Sequence, residues 1–277
     1  MALDHTSRQL IALALAEDIG PQDLTSALLP EDLVGEATVR AKDTLVLSGF
    51  EAVEAVFAAV DPRVEVRWAN KEGDLVEPGA AVGSLRGPAR SLLTGERLAL
   101  NLLQRLCGVA TMAHKAAQAV AGTKCKVVDT RKTTPAMRAL QKAAVRHGGA
   151  YNHRFGLFDG VLIKDNHIAA LGSITKAVER AREVAHHLVR VEVEVESLAQ
   201  LDEALAAGAD VVLLDNMDTA TMRTAVQRTA GRALLEASGN VTLARLPEIA
   251  ATGVDYVSMG ALTHSAPSAD IALDWGA

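Results

Sequence analysis

The sequence predicts an α/β protein in which a parallel sheet follows an N-terminal α+β domain. Six short apolar segments in the second half each end, on the carboxyl side, in charged or small polar residues. Stretches with helical periodicity separate most of these segments, and a helix is the usual crossover between parallel strands. Six strands are predicted and a seventh is possible, so the pattern leaves open a complete barrel, an incomplete barrel or an open sheet.

The first hundred residues lack this alternation and predict the α+β domain. Apolar periodicity predicts one helix near residues 7–17 and another at 50–60. Glycine and proline mark turns among the extended pieces that lie between and after these helices. The predicted strands cover residues 35–41, 45–47, 64–68 and 81–85.

A long helix is predicted next, with Thr94 as its N-cap, and a separate helix is predicted at residues 111–120. The buried stripe of the long helix consists of Leu98, Leu102, Leu103 and Leu106. Polar residues on its other face are by default a solvated surface, and they are Arg97, Asn101, Gln104 and Arg105.

The second half predicts the parallel sheet, whose carboxyl strand ends meet on one rim if it closes into a barrel. Its strands are expected at residues 125–129, 161–163, 191–195, 211–214, 233–235 and 254–258. Ser197 is predicted to cap a crossover helix, and Thr219 and Thr242 are predicted to cap the next two. The apolar stripe of the first of these helices is Leu198, Leu201 and Leu205.

Composition excludes several classes of function. The 277 residues carry a net charge of −6 and 3% aromatic residues, so a nucleic-acid partner is not expected. The two cysteines, Cys107 and Cys125, form neither a disulfide framework nor a paired metal site, which favours a reducing cytoplasm. The amino terminus lacks the features of a signal peptide, and no apolar run reaches membrane-spanning length. A cytoplasmic protein without a membrane partner is therefore expected.

The densest charged cluster is formed by residues 129–135, 152–154 and 163–167. Arginine pairs with a carboxylate through two parallel hydrogen bonds and lysine supplies a compact charge, so this mixture is typical of a site for a small acid. A surface salt-bridge network is the alternative, but Arg131 and Lys164 each follow an apolar strand. The pattern favours an acidic substrate.

Glutamates alternate with valines in residues 192–196, and a period of two puts the three carboxylates on one face. That face is the barrel mouth if the strand is internal and a wet surface if the strand lies at an edge, and the segment alone does not separate these hypotheses. Asp215 is expected to add a fourth carboxylate from the next strand. Carboxylates in this arrangement can hold sugar hydroxyls or a hydrated magnesium ion.

Glycines follow the last two predicted strands, in residues 238–240 and 260–262. Glycine lets the backbone approach an anion closely, and the last two strand ends of a barrel commonly bind phosphate. Together with the cations and carboxylates, these loops describe a rim that holds a small acid, a ribose and phosphate groups. Such a combination is typical of a phosphoribosyl transfer site.

These residues lie in segments that resemble the quinolinate phosphoribosyltransferase family. The segments follow one another in order over nearly the whole chain, and Asp129–Thr133 and Leu162–His167 are its specific motifs. The resembling segments are residues 16–20, 95–101, 129–135, 152–154, 162–168, 192–195, 214–217 and 238–240.

The resemblance implies an α+β domain at residues 1–108, an incomplete barrel of about seven strands at 109–265, and a segment at 266–277 that packs back on the first domain. The implied reaction joins quinolinate to the co-substrate 5-phosphoribosyl-1-pyrophosphate in NAD biosynthesis. Its products are nicotinate mononucleotide, pyrophosphate and carbon dioxide, and it uses Mg²⁺ without an organic cofactor. A homodimer or larger assembly is also implied, in which Arg97 reaches the site of the other subunit.

The resemblance also assigns roles by position. Catalysis is assigned to Lys132, Lys164, Glu194 and Asp215, of which the two carboxylates also bind ribose hydroxyls or, directly or through water, Mg²⁺. Quinolinate binding is assigned to Arg97, Thr130, Arg131, Lys132, His153 and Arg154, with Lys164 supporting the anionic substrates. Phosphate binding is assigned to Ser238, Gly239, Asn240, Gly260, Ala261, Leu262 and His264.

Gln22, Ala136 and Ala150 depart from the family pattern, which usually has glycine at these positions. These departures bear on loop geometry near the acid site. They also leave open the hypothesis that the chain is a related molybdenum-transport-associated protein, whose ligand would not be quinolinate. Two other hypotheses also stay open. One is a phosphate-ligand binding module without turnover, and the other is a barrel aldolase with Lys164 as a Schiff-base amine.

Overall fold

The computed structural model describes residues 3–276 and divides them into two compact units. In this part of the chain no helix combines the length and the apolar composition needed to cross a membrane. The α-helices are α1 (His5–Ile19), α2 (Phe50–Val60), α3 (Ala89–Ala119), α4 (Arg138–His147), α5 (Asp165–Leu171), α6 (Ile174–Val184), α7 (Leu198–Ala206), α8 (Thr219–Thr229), α9 (Leu246–Ala250) and α10 (Ala261–His264). The strands are β1 (Val34–Ala41), β2 (Leu45–Val46), β3 (Glu65–Trp68), β4 (Leu75–Val76), β5 (Ala81–Pro88), β6 (Lys126–Val128), β7 (Val161–Ile163), β8 (Val191–Val195), β9 (Val211–Asp215), β10 (Leu234–Ser238), β11 (Tyr256–Ser258) and β12 (Ile271–Trp275).

The first unit consists of residues 3–114, 133–149 and 263–276. Its main sheet has the strand order β12-β1-β5-β3, and each neighbouring pair is antiparallel. β2 and β4 form a separate antiparallel pair. The four strands predicted in this half are confirmed. The sequence analysis missed β4 and β12, because each is short and is ordered by pairing with a strand distant in the chain.

Both helices predicted at the start of the chain are confirmed, and side chains close their first turns. The carboxylate of Asp4 accepts a hydrogen bond from the amide of Ser7 at the start of α1. Glu72 reaches α2 from a distant loop, and its Oε1 accepts from the amides of Gly49 and Phe50 at 2.6 and 3.0 Å. These bonds satisfy amides that have no partner within a helix.

α3 is a single helix of 31 residues, and two predictions about it are wrong. It begins at Ala89, so Thr94 lies inside it and is not its N-cap. It also continues through Gly108, so the helix predicted at 111–120 is part of it. Gly108 is required by packing rather than by a helix end, because a Cβ there would lie 2.0 Å from the carbonyl oxygen of Pro267. The predicted leucine stripe is confirmed, with Leu102, Leu103 and Leu106 buried and Leu98 partly buried.

The predicted domain limits, 1–108, 109–265 and 266–277, stay predictions. Each compact unit draws on segments from separate parts of the chain, and α3 contributes residues to both. At the end of the chain β12 pairs with β1, from Ala37 opposite Trp275 to Ala41 opposite Ile271.

The second unit consists of residues 115–132 and 150–262 and contains a parallel sheet of order β6-β11-β10-β9-β8-β7. The last strand of this series, β11, pairs with the first, β6, as barrel closure requires. A single parallel bridge joins Val128 to Tyr151 beyond β6, and no ladder among the described residues links Tyr151 to β7. The fold is the predicted incomplete α/β barrel, and in the described residues it has six strands and one isolated bridge at the seventh position.

β8 lies between β7 and β9, so the edge-strand hypothesis for its glutamates is wrong. The three valines of β8 are fully buried on the side of α6 and α7. Glu192 and Glu194 lie on the opposite face, and the register places Glu192 beside Val211 of β9. Glu196 follows the strand and is exposed.

The predicted helix caps of the second unit have different outcomes. Ser197 caps α7, and its side chain accepts from the amide of Gln200. Thr219 does not cap α8, because the cap is Asp218, whose carboxylate accepts from the amide of Thr221 at 2.7 Å. A carboxylate at this position also interacts favourably with the helix dipole. Thr242 precedes a 3₁₀ turn at 243–245 and makes no side-chain capping bond.

The three departures from glycine differ in their structural consequences. Ala136 has a φ of 62°, in the left-handed region that costs a residue with a Cβ roughly 1–2 kcal/mol. Gln22 and Ala150 do not have positive φ and need no glycine. Gly148 precedes Ala150 and is required by packing, because a Cβ there would lie 2.2 Å from the carbonyl oxygen of Ala110. The departures therefore strain the backbone at Ala136 only.

Candidate active site

A buried aspartate fixes the segment that follows β6. Asp129 comes directly after the strand and is fully buried. Its carboxylate accepts hydrogen bonds from the side chain of Asn152 at 2.6 Å and from the backbone amide of His153 at 2.9 Å. Such bonds compensate the burial of the charge. They also hold residues 152–154 beside the end of β6, so two motifs that are distant in the sequence meet there.

His153 contacts two glutamates of the barrel interior. Its Nε2 lies 2.9 Å from Oε2 of Glu192 on β8 and 3.6 Å from Oε2 of Glu236 on β10. Both glutamates are buried, with 7% and 4% of their surface exposed. Burial, and next the negative charge of Glu192, raise the pKa of the Glu236 carboxyl to about 8, whereas His153 opposes this shift.

The sequence analysis missed Glu236. The strand predicted here ends at residue 235, whereas β10 continues to Ser238 and places Glu236 inside the sheet. A signal was present, because Glu236 is a lone carboxylate in an apolar run and shares its period-two face with Leu234 and Ser238. The register places Glu236 opposite Leu213 of β9.

Arg131 and Arg154 bring two guanidinium groups close together. Burial, and then the positive charge of Arg131, lower the pKa of Arg154 below its usual range. One terminal nitrogen of Arg154 donates to the carbonyl of Gly160 at 3.0 Å, while its Nε is buried without a hydrogen-bond partner. Because the two cations repel each other, an anion bound between them interacts favourably with both.

Lys164 and Glu194 pair across neighbouring strand ends. Ile163 of β7 is opposite Val193 of β8, so the residues that follow them lie side by side. The ammonium of Lys164 forms an ion pair with Oε2 of Glu194. The backbone amide of Lys164 donates to Nδ1 of His167 at 3.0 Å, which fixes the start of α5.

The ends of β9 and β10 are in register and form a compact loop pair, with Asp215 opposite Ser238. Asp215 accepts a hydrogen bond from the side-chain amide of Asn216 at 2.8 Å, and Asn216 accepts one from the side chain of Asn240 at 3.1 Å. The loops are so close that a Cβ on Gly239 would lie 2.2 Å from Oδ1 of Asn216. Gly239 also has a φ of 92°, so both packing and backbone conformation require glycine.

The ends of β11 and β6 meet at the same edge. The amide of Met259 donates to the carbonyl of Val128 at 3.0 Å, which aligns the loop at 260–262 with the segment after β6. In that segment Oγ1 of Thr130 accepts from the amide of Lys132 at 3.1 Å. The helix predicted to follow Thr242 begins only at Leu246, because residues 243–245 form a 3₁₀ turn.

Most predicted site residues follow the carboxyl strand ends of the second unit. They are Thr130, Arg131, Lys132, His153, Arg154, Lys164, Glu194, Asp215, Ser238, Gly239, Asn240, Gly260, Ala261 and Leu262. Arg97 and His264 belong to the first unit, and their roles stay predictions. Arg97 is exposed on α3, and Nδ1 of His264 lies 2.6 Å from the hydroxyl of Ser265.

Comparison with known families agrees with this arrangement over most of the chain. The model of the quinolinate phosphoribosyl transferase N-terminal domain matches residues 23–107, and that of the C-terminal domain matches residues 109–274. The chain belongs to the quinolinate phosphoribosyltransferase family. The resemblance inferred from the sequence motifs is therefore confirmed.

Individual relatives extend this likeness over both units. The chain is 46% identical to a probable nicotinate-nucleotide pyrophosphorylase [carboxylating] of Bacillus subtilis, over 96% of this chain and 92% of the relative. The solved structure of the nicotinate-nucleotide pyrophosphorylase from Francisella tularensis has a TM-score of 0.96 and 38% identity, covering 100% of this chain and 98% of its own. NadC from Streptococcus pyogenes has a TM-score of 0.94 and 41% identity, covering 99% of this chain and 98% of its own.

Gly239→Ala is expected to destabilise the protein more than a glycine substitution in open space. Gly231→Ala is the matched control, because Gly231 has a φ of 79° but no atom within 4 Å of its Cβ position. The control is expected to lose roughly 1–2 kcal/mol of unfolding free energy from the backbone alone. Gly239→Ala is expected to lose more, since Asn216 must also move, and urea denaturation measures both losses. Equal losses would show that the contact with Asn216 imposes no steric requirement.

Proposed function

We propose that this protein is a carboxylating nicotinate-nucleotide pyrophosphorylase of NAD biosynthesis. It joins quinolinate to 5-phosphoribosyl-1-pyrophosphate and releases nicotinate mononucleotide, pyrophosphate and carbon dioxide. The observation that carries the proposal is the repulsive pair Arg131 and Arg154 at a rim that also presents carboxylates and glycine loops. Family membership and the printed activity of the relatives support it.

The acid site is assigned to Arg131, Lys132, His153 and Arg154, which hold the two carboxylates of quinolinate. A guanidinium donates two parallel hydrogen bonds to a carboxylate, so the two arginines suit a diacid. Burial, and then repulsion by Arg131, lower the pKa of Arg154, and a bound dianion compensates both effects. Nicotinate has one carboxylate and compensates less of this charge, so the diacid is expected to be the preferred substrate.

Glu194 and Asp215 are assigned to the ribose hydroxyls and to Mg²⁺, either directly or through water. The two residues fit this role, because they end neighbouring strands and lie on the same face of the sheet. Mg²⁺ prefers oxygen ligands and retains several waters, so two carboxylates suffice when substrate phosphates supply further ligands. A magnesium ion held by these residues would supply charge neutralisation at the pyrophosphate leaving group. No organic cofactor is required.

The phosphate groups are assigned to the loops at residues 238–240 and 260–262. Gly239 permits close approach of the backbone, and Ser238 and Asn240 supply polar side chains beside it. The helices that follow these loops are only one or two turns long, so the assignment depends on the loops rather than on a helix dipole.

The chemistry suits these residue types. Breaking the bond between the ribose and pyrophosphate places positive charge on the sugar ring, and the carboxylates of Glu194 and Asp215 stabilise that charge. The cations Lys132 and Lys164 stabilise the anionic reactants. The quinolinate nitrogen donates its electron pair to the ribose carbon and becomes positively charged. That charge then accepts the electron pair left behind when the adjacent carboxylate departs as carbon dioxide.

A barrel aldolase is a weaker alternative. A Schiff base requires a lysine amine that is free to attack a carbonyl, whereas the Lys164 side chain is held in an ion pair with Glu194. A binding module without turnover would not require the Lys164–Glu194 pair or Asp215 at the rim.

The purified protein is expected to release pyrophosphate and labelled carbon dioxide in equal amounts from quinolinate, 5-phosphoribosyl-1-pyrophosphate and Mg²⁺. Nicotinate serves as the control acid and is expected to yield neither product. Calorimetric binding of quinolinate without product would favour the binding module. A lysine adduct trapped by borohydride would favour the aldolase.

Arg131→Ala is expected to raise the KM for quinolinate about 10- to 100-fold, because a charge-assisted hydrogen bond is worth roughly 1.5–3 kcal/mol. Arg223→Ala, at an exposed position of α8, is the matched control and is expected to change nothing. Steady-state kinetics with quinolinate as the varied substrate measure the effect. Unchanged kinetics in Arg131→Ala would remove this residue from the acid site.

Arg97 is assigned to the acid site of a second subunit in a homodimer. Arg97→Ala and Lys132→Ala are each expected to be inactive, and mixed dimers of the two are expected to recover activity because each contains one intact site. Subunit exchange is verified with differently tagged chains, and each variant exchanged with itself is the control. Inactive mixed dimers would place Arg97 outside the partner's site.

A further inference from the structure

Two buried glutamates lie against His153 beneath the proposed acid site. His153, Glu192 and Glu236 each contribute one atom to a cluster in which these atoms lie within 4.8 Å of one another. Both carboxylates therefore share the single Nε2 of His153. Oε1 of each glutamate is buried and has no hydrogen-bond partner. Two full negative charges at this place would be costly, because burial penalises charge and the carboxylates repel each other.

The groups that act most strongly on Glu236 oppose its ionisation more than they favour it. The negative charge of Asp129 adds to the effects of burial and of Glu192, whereas His153 and the Ser258 hydroxyl offset only part of them. On β6, two strands away, the ammonium of Lys126 lies over the ring of Tyr151, 4.9 Å from the centroid. The charged or titratable residues on the elements around Glu236 include Cys125, Lys126, Asp129, His153, Arg154, Glu192, Glu194, Asp215, Asp255 and Tyr256.

We infer that Glu236 is a positioning residue that acts through His153. As a neutral carboxylic acid it leaves the closer carboxylate, that of Glu192, as the anion that pairs with the His153 imidazole, which keeps a charged imidazolium at the acid site. An ionised Glu236 would compete with the substrate carboxylate for that imidazolium. The inference rests on the proposed function, because it assigns His153 to the carboxylates of quinolinate. The pKa of Glu236, raised to about 8 by burial, is consistent with the neutral form at pH 7.

A divalent metal is the competing occupant of the cluster, because one histidine nitrogen and two carboxylate oxygens are zinc ligands. Ligand atoms held about 2.0–2.1 Å from a tetrahedral zinc lie roughly 3.3 Å apart. The separation of His153 and Glu192 is 2.9 Å, which is a hydrogen-bond distance. A shared proton therefore fits the spacing better than a metal does.

The protonation of Glu236 can be measured without turnover. Infrared difference spectra of the wild-type protein between about pH 6 and pH 10 are expected to show the loss of one buried carboxylic acid, with a midpoint of about 8. Glu236→Gln is expected to lack this signal. Glu179→Gln, an exposed position of α6, is the matched control and is expected to keep it.

Stability provides a second readout. The folded-state pKa of Glu236 lies above the unfolded value of 4.5, so its protonation stabilises the folded protein fully below about pH 4.5, and this contribution is lost as the pH rises to about 8. The free energy of unfolding of the wild-type protein is therefore expected to fall across this window relative to that of Glu236→Gln. Urea denaturation at several pH values measures the difference, and parallel curves would overturn the inference.

Kinetics test the positioning role. The KM of the wild-type enzyme for quinolinate is expected to rise about tenfold between about pH 7 and pH 9. A tenfold change corresponds to a coupling of about one pKa unit between ionisation of Glu236 and substrate binding. The KM for 5-phosphoribosyl-1-pyrophosphate is the internal control and is not expected to follow this rise. Glu236→Gln is expected to have a flat KM for quinolinate, because glutamine resembles the neutral acid and cannot ionise. If Glu236 had only a structural role, Glu236→Gln would not selectively abolish the pH dependence of the KM for quinolinate.

Besides parallel stability curves, three outcomes would overturn the inference: a carboxylic acid signal that persists in Glu236→Gln, an alkaline rise in KM that is the same in both proteins, or a stoichiometric metal in the wild-type protein that a chelator removes. Elemental analysis of the purified protein tests the last of these. A signal that Glu236→Gln lacks, together with no turnover of quinolinate by the wild-type protein, would reject the proposed function but not the proton on Glu236.

Discussion

The parallel register of the second unit's sheet determines where the functional side chains lie. Each strand pairs with a neighbour of the same direction, so the residues that follow the strands emerge at one edge. Pairing of β11 with β6 brings the first and last strands of the series together. Without this closure, Asp129 and Gly260 would follow strands at opposite ends of an open sheet. The candidate site therefore depends on strand pairing more than on any single loop.

Charge is arranged in layers at this edge. The interior face of the barrel buries Glu192 and Glu236, while Arg131 and Arg154 gather positive charge close to His153. Because each layer is costly alone, the positive and negative charges of the two layers compensate each other. The imidazole of His153 contacts the interior carboxylates, and its backbone neighbour Arg154 carries one of the cations.

Close approach of the backbone, rather than turn chemistry alone, determines where glycine is required. Gly108 lies within a continuous helix because Pro267 packs against it, and Gly239 combines a positive φ with a neighbouring side chain. Ala136 keeps a left-handed backbone despite its Cβ, so the loop between β6 and α4 retains a glycine-like conformation at a cost in stability. Glycines are therefore required for different physical reasons at different positions, by close packing at some and by backbone conformation at others.

The sequence by itself determined the six parallel strands, the leucine stripe of α3 and the family motifs, because hydrophobic period and motif spacing are local properties of the chain. It also identified most of the residues that the sheet gathers at one edge. It could not determine that Thr94 lies inside a helix, that Gly108 leaves α3 intact or that Glu236 contacts His153. Each of these depends on a contact with a distant segment: the bond from the Ala89 amide to the Leu33 carbonyl, the packing of Pro267 against Gly108 and the contact of Glu236 with His153. Only the tertiary structure decided them, because burial and charge coupling arise when separate segments pack together.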